Sequence, residues 1–164
     1  CRALEQNATG KRFYARDRVA TIDRGAIRVA PIAPDDDCLT TVRQGALRSY
    51  CGNSALYYEY LSVDEVRTFD TPPNVALLDA DRLCYPLTLR RWREGDRFIP
   101  FGMTGSKKVS DFLVDAKVSM PEKQRQFVLL SGDEIAWLVG RRIDDRYRLT
   151  RSTENVLRIT KEIL

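Results

Sequence analysis

The apolar residues of this chain come in short runs separated by turn-forming residues, and this pattern constrains the fold more than any other feature. Two pairs of such runs surround Asp23-Arg24-Gly25 and Ser131-Gly132-Asp133. Short apolar runs on both sides of a glycine-containing turn are typical of β-hairpins, since glycine readily adopts the positive φ that many of these turns require. Further strands are predicted at residues 55–61, 75–78, 83–89 and 156–159, and another at Leu149.

Helical periodicity is confined to two short segments of the second half. Residues 109–113 place apolar side chains at the i, i+3, i+4 spacing of an amphipathic helix, which we predict to run from an N-cap at Ser106 to about Val114. Pro121 begins a second short helix, at a first-turn position where proline is favoured. The chain is therefore predicted to be β-rich, either all-β or α+β, with covered sheets and short inserted helices.

A break in the chain at Thr71-Pro72-Pro73-Asn74 suggests two parts, because neither proline can continue a regular element. We place a domain boundary near Pro72, with residues 1–72 as a connecting segment of hairpins and residues 73–164 as the domain that carries the distinctive motifs. The chain begins at Cys1 and not at Met, so we expect it to be a fragment of a longer protein.

Composition limits the chemistry available to the chain. It contains no histidine, which removes the commonest general base, and its cysteines form no CxxC pair. A zinc site would need all of Cys1, Cys38, Cys51 and Cys84 or help from carboxylates, and reduced thiols of a cytosolic protein explain them better. No apolar run is long enough to cross a membrane and no signal peptide is visible, so we expect no membrane partner and a cytoplasmic location.

The basic residues of the second half are the main candidates for a binding surface. Lys and Arg number 27 against 23 Asp and Glu, so the net charge is only +4 and position matters more than number. From spacing alone, a solvated surface with ordinary ion pairs explains them better than a nucleic acid does, although converging side chains would suit phosphates. The set comprises Arg90, Arg91, Arg93, Arg97, Lys107, Lys108, Lys117, Lys123, Arg125, Arg141, Arg142 and Arg146.

Three smaller features have both a structural and a functional interpretation. The segment 102–108 (GMTGSKK) leads into the predicted helix and is either a phosphate seat or a plain turn-to-helix junction, since a GxxxxGK[ST] loop is absent. The aromatic residues Trp92, Phe98 and Phe101 are either core residues or stacking platforms for bases. Asp144-Asp145 and Asp133-Glu134 are adjacent pairs on turns or strands, so they do not form a general acid–base pair.

Residues 89–150 combine several short motifs in a characteristic order: WREGDRF, then PFGMTGSKK, then SDFLVDAK and finally GRRIDDR. This combination closely resembles the C-terminal domain of tRNA(Ile)-lysidine synthetases, where WxxGDRF precedes PxGMxGxKK, SDFxxDxK and a GxRID-R element. Residues 11–32 resemble, less distinctively, the connecting segment of that family. The resemblance implies a β-sandwich-like module, itself similar to a module of the phenylalanyl-tRNA synthetase β chain.

The family enzyme uses ATP, with Mg²⁺, to adenylate the wobble cytidine of tRNA(Ile), and lysine then displaces AMP to form lysidine. Its catalysis belongs to an N-terminal PP-loop domain with an SGGxDS motif, which this chain lacks. The resemblance therefore implies a non-catalytic fragment without a cofactor of its own, whose partners are tRNA(Ile) and the catalytic domain of the same chain.

The resemblance also assigns expected roles within the fragment, which would grip the body and acceptor stem of the tRNA. We expect Asp96 and Asp144 to orient neighbouring arginines or turns. The expected RNA-binding residues are Lys107, Lys108, Arg125, Arg141 and Arg142, followed by Arg93 and Arg97. The alternative is a non-catalytic β module that braces another domain or a second copy of the chain, and a self-contained small enzyme is disfavoured.

Overall fold

The computed structural model describes three strands before residue 32 and all of residues 39–164. The early strands, β1 (Arg12–Ala15), β2 (Arg18–Asp23) and β3 (Ala26–Pro31), form an antiparallel sheet in the order β1-β2-β3. The pairing of β2 with β3 confirms the hairpin predicted around Asp23-Arg24-Gly25. Cys1 and Cys38 lie outside the described residues.

Residues 37–164 form a compact unit distinct from residues 1–36. It contains two large antiparallel sheets and a two-stranded ribbon. The five-stranded sheet has the order β13-β12-β11-β8-β4, from β4 (Thr40–Val42), β8 (Leu87–Arg91), β11 (Phe127–Ser131), β12 (Glu134–Leu138) and β13 (Arg142–Ile143). The four-stranded sheet has the order β5-β6-β14-β7, from β5 (Arg48–Cys51), β6 (Ser54–Ser62), β7 (Val75–Asp79) and β14 (Asn155–Ile163).

The two sheets pack face to face through alternate residues of their strands. Leu87 and Leu89 of β8 and Leu129 of β11 join Leu78 of β7 and Leu157 of β14 in one buried cluster. Side chains at every second residue of a strand share a face, so each of these strands contributes one side to the interior. The result is a β-sandwich.

The outer face of the five-stranded sheet is also covered. Val128 and Leu130 of β11 point away from the sandwich interior and join a second cluster with Phe98, Val109 and Leu113. The last two belong to the helix α1 (Val109–Asp115), and a second helix, α2 (Met120–Gln124), follows. The β-rich sandwich with short inserted helices is therefore confirmed, and its apolar run at residues 127–130 is explained by burial on both faces.

A short ribbon of β9 (Arg97–Phe98) and β10 (Lys107–Lys108) precedes α1. Lys107 is opposite Phe98 and Lys108 is opposite Arg97. This pairing holds Lys107 and Lys108 extended, so the helix predicted from an N-cap at Ser106 begins at Val109 instead, with Lys108 as its N-cap.

Two other predicted elements differ from the structure. The strand expected from Leu83 begins at Leu87, because the Asp79 side chain accepts from the Asp81 N–H and supports a 3₁₀ turn over Ala80–Arg82. Leu149 lies in no strand, since the following residues form a turn in which the Thr150 N–H donates to the Thr153 hydroxyl.

Strands on both sides of residue 72 share the two sheets: β4 pairs with β8, and β6 pairs with β14. The assignment of residues 1–72 to a connecting segment of a larger enzyme stays a prediction. Within the described residues, no helix is long and apolar enough to cross a membrane.

Candidate functional site

The β9–β10 ribbon brings three of the predicted RNA-binding residues together. Arg97 and Lys108 are opposite each other in the register, so both side chains emerge on the same face. The Arg97 guanidinium donates to the Ser106 hydroxyl at 3.1 Å and to the Ser106 carbonyl at 3.2 Å. Lys107 is paired with the Asp115 carboxylate. Among residues 39–164, no carboxylate forms an ion pair with Arg97 or Lys108, so these two cations are available to an anion.

The segment 102–108 is occupied by internal contacts. The Gly102 N–H donates to the Asp145 carboxylate at 3.0 Å, the Ser106 oxygens accept from Arg97, and Lys107 pairs with Asp115. These internal contacts favour a turn-to-helix junction over a phosphate seat for this segment. Lys108 is its exposed cation.

Asp96 organises the loop before the ribbon, as expected. Its carboxylate accepts two hydrogen bonds from the Arg90 guanidinium, at 2.8 and 2.9 Å, and one from the Arg93 N–H at 2.7 Å. Burial alone would raise the pKa of Asp96, but these donors outweigh it and hold the pKa below its ordinary value. The Arg90 guanidinium is therefore held by Asp96 and has a structural role, whereas Arg93 is exposed.

Asp144 likewise orients an arginine and a turn. It is fully buried and accepts from the Ile99 N–H at 2.7 Å, the Arg146 N–H at 2.9 Å and the Arg146 guanidinium at 2.9 Å. The hydrogen bond from Arg146 to Asp144 raises the pKa of the arginine. A fully buried carboxylate whose oxygens accept this many hydrogen bonds is shielded from a substrate, so Asp144 is structural.

Arg141 is positioned by a side chain that the sequence analysis did not single out. The Gln126 amide oxygen accepts from the Arg141 guanidinium at 2.7 Å, while its nitrogen donates to the carbonyls of Phe127 and Val139 at 2.8 and 2.9 Å. Gln126 is buried with all three bonds satisfied. Arg125, the exposed C-cap of α2, precedes it. No local sequence signal distinguishes Gln126 from an ordinary surface glutamine.

A groove of about 910 Å³ contains two of the predicted residues, Arg141 and Arg142. Arg148 and Arg151 line it as well, so four arginines share its wall with one acidic residue, Asp70. It lies beside β13 and β7, the strands at the edges of the two sheets. We call it the edge groove; the sequence analysis did not include Arg148 and Arg151, although they follow Arg146 by only two and five residues.

The aromatic residues separate into core and surface. Phe98 is 1% exposed and packs edge-on against Phe112, with ring centroids 5.3 Å apart. The half-buried Trp92 donates its indole N–H to the Lys123 carbonyl at 2.6 Å. Phe101 is 46% exposed and lines the edge groove, together with Phe69, which is 65% exposed. Of the three aromatic candidates, Phe101 alone is placed to stack on a base.

The predicted site residues thus form two sets. Arg97, Lys107 and Lys108 lie on the ribbon, and Arg141 and Arg142 line the edge groove. Arg93 and Arg125 are exposed but line neither feature. Both sets present cations to solvent on rigid, hydrogen-bonded backbone, which is the arrangement that phosphate contacts require.

Comparison with known proteins places this unit in a family. Residues 87–159 match the family model described as the TilS substrate C-terminal domain. The chain is 36% identical over 152 residues to the tRNA(Ile)-lysidine synthase of Bacteroides thetaiotaomicron, an alignment that covers 90% of this chain and 32% of that protein. It is 53% identical over 96 residues to the same enzyme of Parabacteroides distasonis, covering 56% of this chain and 22% of the relative. The chain thus spans about a third or less of these relatives.

A solved structure of this family shares the fold. The crystal structure of a TILS C-terminal domain superposes with a TM-score of 0.60 at 20% identity, over 68% of this chain and 85% of that one. A fragment of the phenylalanyl-tRNA synthetase β-subunit from Pyrococcus horikoshii gives a TM-score of 0.47 at 17% identity, over 53% of this chain and 27% of that one. The family match, the relatives and the shared fold lead to one conclusion: the chain carries the C-terminal domain of the tRNA(Ile)-lysidine synthase family.

Proposed function

We propose that this chain is the tRNA-binding part of a cytoplasmic tRNA(Ile)-lysidine synthase and that it grips the body and acceptor stem of tRNA(Ile). In this proposal the parent enzyme uses ATP, with Mg²⁺, and lysine to convert the wobble cytidine to lysidine. Adenylation and lysine transfer belong to an N-terminal catalytic domain, which is the second partner of this unit. The fragment holds the substrate and performs no chemistry.

The observation that carries the proposal is the pair of exposed cations, Arg97 and Lys108, on one face of the β9–β10 ribbon. A double-stranded RNA stem offers phosphates and 2′-hydroxyls and hides most of its base edges, so cations on a rigid support are sufficient to hold it. The ribbon is rigid because the sheet pairing, the Ser106 contacts and α1 restrain it. Lys107 contributes less, since Asp115 already compensates its charge.

The test is binding of this chain to a tRNA(Ile) transcript over a series of salt concentrations. Each phosphate contact that is lost should reduce the slope of log K against log salt by about one. We expect Lys108→Ala to remove about one unit and Lys107→Ala to remove less. Arg158→Ala is the matched control, because Arg158 pairs with Glu59 on the four-stranded sheet, away from the ribbon.

Binding that is absent even at low salt would contradict the proposal and favour the alternative, a module that braces the catalytic domain or a second copy of the chain. An equal fall in slope for Lys108→Ala and Arg158→Ala would contradict the ribbon as the contact surface. Circular dichroism of each variant checks that the fold is retained.

A further inference from the structure

We propose that the edge groove binds unpaired nucleotides of the RNA, with its arginines on their phosphates and its exposed phenylalanines stacked on their bases. This inference rests on the proposed function and adds a second, chemically different site to the ribbon. The ribbon meets the outside of a stem, whereas the groove takes nucleotides that have left the stem.

The charge of the groove selects an anion. Its lining contains a single acidic residue, Asp70, and four arginines, so its net charge is positive. The arginines are Arg141, Arg142, Arg148 and Arg151. The Arg148 guanidinium lies 3.3 Å from the half-buried Asp145 carboxylate, a weak pair near the surface that an incoming phosphate can replace. Within residues 39–164, Arg142 and Arg151 have no ion pair. Arginine binds phosphate through two parallel N–H donors, so this lining suits a polynucleotide backbone.

The exposed phenylalanine rings of the groove would bind the bases of the nucleotides, as the arginines would bind their phosphates. Phe69 and Phe101 expose 65% and 46% of their surface while lining the same groove as the arginines. An exposed phenylalanine alone carries no meaning, but rings beside cations are the usual composition of single-strand binding sites, because every base has a face that can stack.

Hydrogen bonds restrain the backbone at Phe101 and the loop beyond Phe69 before any ligand arrives. The Phe101 N–H donates to the Ile143 carbonyl at 3.0 Å, and the next N–H, of Gly102, donates to Asp145. The loop that follows Phe69 is closed by a bond from the Val75 N–H to the Pro72 carbonyl at 2.9 Å. A pre-ordered site loses less entropy when it binds, which strengthens stacking on these rings.

Unpaired nucleotides fit the groove better than a duplex does. In an A-form stem the base faces are covered by their neighbours, and only bases in loops, bulges and ends can reach an aromatic ring. A volume of about 910 Å³ lies within the range of sites that accept small ligands, which suits one or a few nucleotides and excludes a stem. An acidic peptide would satisfy the arginines but has no flat ring for Phe69 and Phe101.

The test uses this chain with two hairpin RNAs that share a stem closed by a non-nucleotide linker, so that neither has an unpaired loop. One hairpin is blunt and the other has a single-stranded 3′ extension that carries a fluorescent adenine analogue. We expect at least about tenfold tighter binding of the extended hairpin and quenching of the analogue by stacking. Phe69→Leu/Phe101→Leu keeps apolar bulk, and it should abolish the quenching and most of the preference for the extended hairpin, because only the arginine contacts with the extension remain. Tyr50→Leu is the matched control, an aromatic that is 50% exposed outside the groove.

Equal affinity for the two hairpins would overturn the groove proposal and leave the ribbon intact, whereas failure to bind either hairpin would overturn the proposed function itself. Loss of the preference in Tyr50→Leu as well would also count against the groove. A polyglutamate peptide that displaces the extension and depends equally on Phe69 and Phe101 would identify a protein partner instead.

Discussion

At the scale of single residues, buried carboxylates determine which arginines are available to a ligand. Asp144 is fully buried and holds Arg146, while Asp96 holds Arg90 with two hydrogen bonds. Arg146 shares a sequence motif with Arg142, and Arg90 lies two residues before the motif of Arg97, so composition alone does not separate the two groups. The carboxylates distinguish the two groups, because breaking an ion pair with a buried carboxylate costs free energy and keeps its arginine from binding a ligand.

Asp144→Asn should destabilise the fold by about 2–3 kcal/mol, less than the full cost of breaking a buried pair because Arg146 is partly exposed and can be hydrated. Urea unfolding followed by circular dichroism measures the difference in the free energy of unfolding. Asp145→Asn is the matched control: its pair with Arg148 is longer, at 3.3 Å, and more exposed, and the asparagine oxygen can still accept from the Gly102 N–H, so a loss below about 1 kcal/mol is expected. Equal losses for the two variants would show that burial of Asp144 does not determine its contribution.

The lowered pKa of Asp96 predicts that the free energy of unfolding depends on pH in the acid range. Its pKa in the folded protein lies below its ordinary value of 3.8, so the unfolded chain binds the proton more readily. The stabilisation is therefore complete above the ordinary value and is lost as the pH falls through the folded value. We expect the free energy of unfolding to fall less between about pH 5 and pH 2 in Asp96→Asn than in the unaltered chain. Identical pH profiles would contradict this role of Asp96.

At the scale of elements, local sequence signals predicted those parts whose contacts are local. The hairpin around Ser131-Gly132-Asp133 forms as predicted, because its turn chemistry and its apolar runs agree. The predicted N-cap at Ser106 was wrong because the next two residues form a strand: Lys107 pairs with Phe98, and Lys108 pairs with Arg97. Helical periodicity does not report such a contact across a loop. Tertiary pairing thus overrides a favourable local cap.

Substitutions in α1 test how this helix packs on the outer face of the five-stranded sheet. Leu113→Ala should cost about 2–5 kcal/mol, because Leu113 is fully buried against the five-stranded sheet and its removal leaves a cavity. Val114→Ala, one residue along the same helix and 59% exposed, should change the free energy of unfolding little. Urea unfolding compares the two variants. Similar losses would mean that α1 does not cover the sheet in solution.

At the scale of the whole molecule, sequence motifs indicated the family but neither the ribbon nor the edge groove. Arg97, Lys107 and Lys108 belong to two neighbouring motifs, so their proximity follows from one short ribbon. The groove joins Phe69, Phe101 and Arg151, which come from three separate loops and meet only when the two sheets are packed. No spacing rule along the chain encodes such a convergence, because it depends on the register and order of the strands.

The compact unit of residues 37–164 contains both sheets and both buried clusters, so it should fold without residues 1–36. A shortened chain of residues 37–164 should unfold in a single cooperative transition in urea. The slope of its free energy of unfolding against urea concentration should correspond to the surface buried in this unit alone. The ribbon and the edge groove lie entirely within it, so the salt dependence of RNA binding and the preference for an extended hairpin should both persist. A broad transition would contradict independent folding, whereas cooperative unfolding with weakened RNA binding would mean that residues 1–36 supply contacts to the RNA.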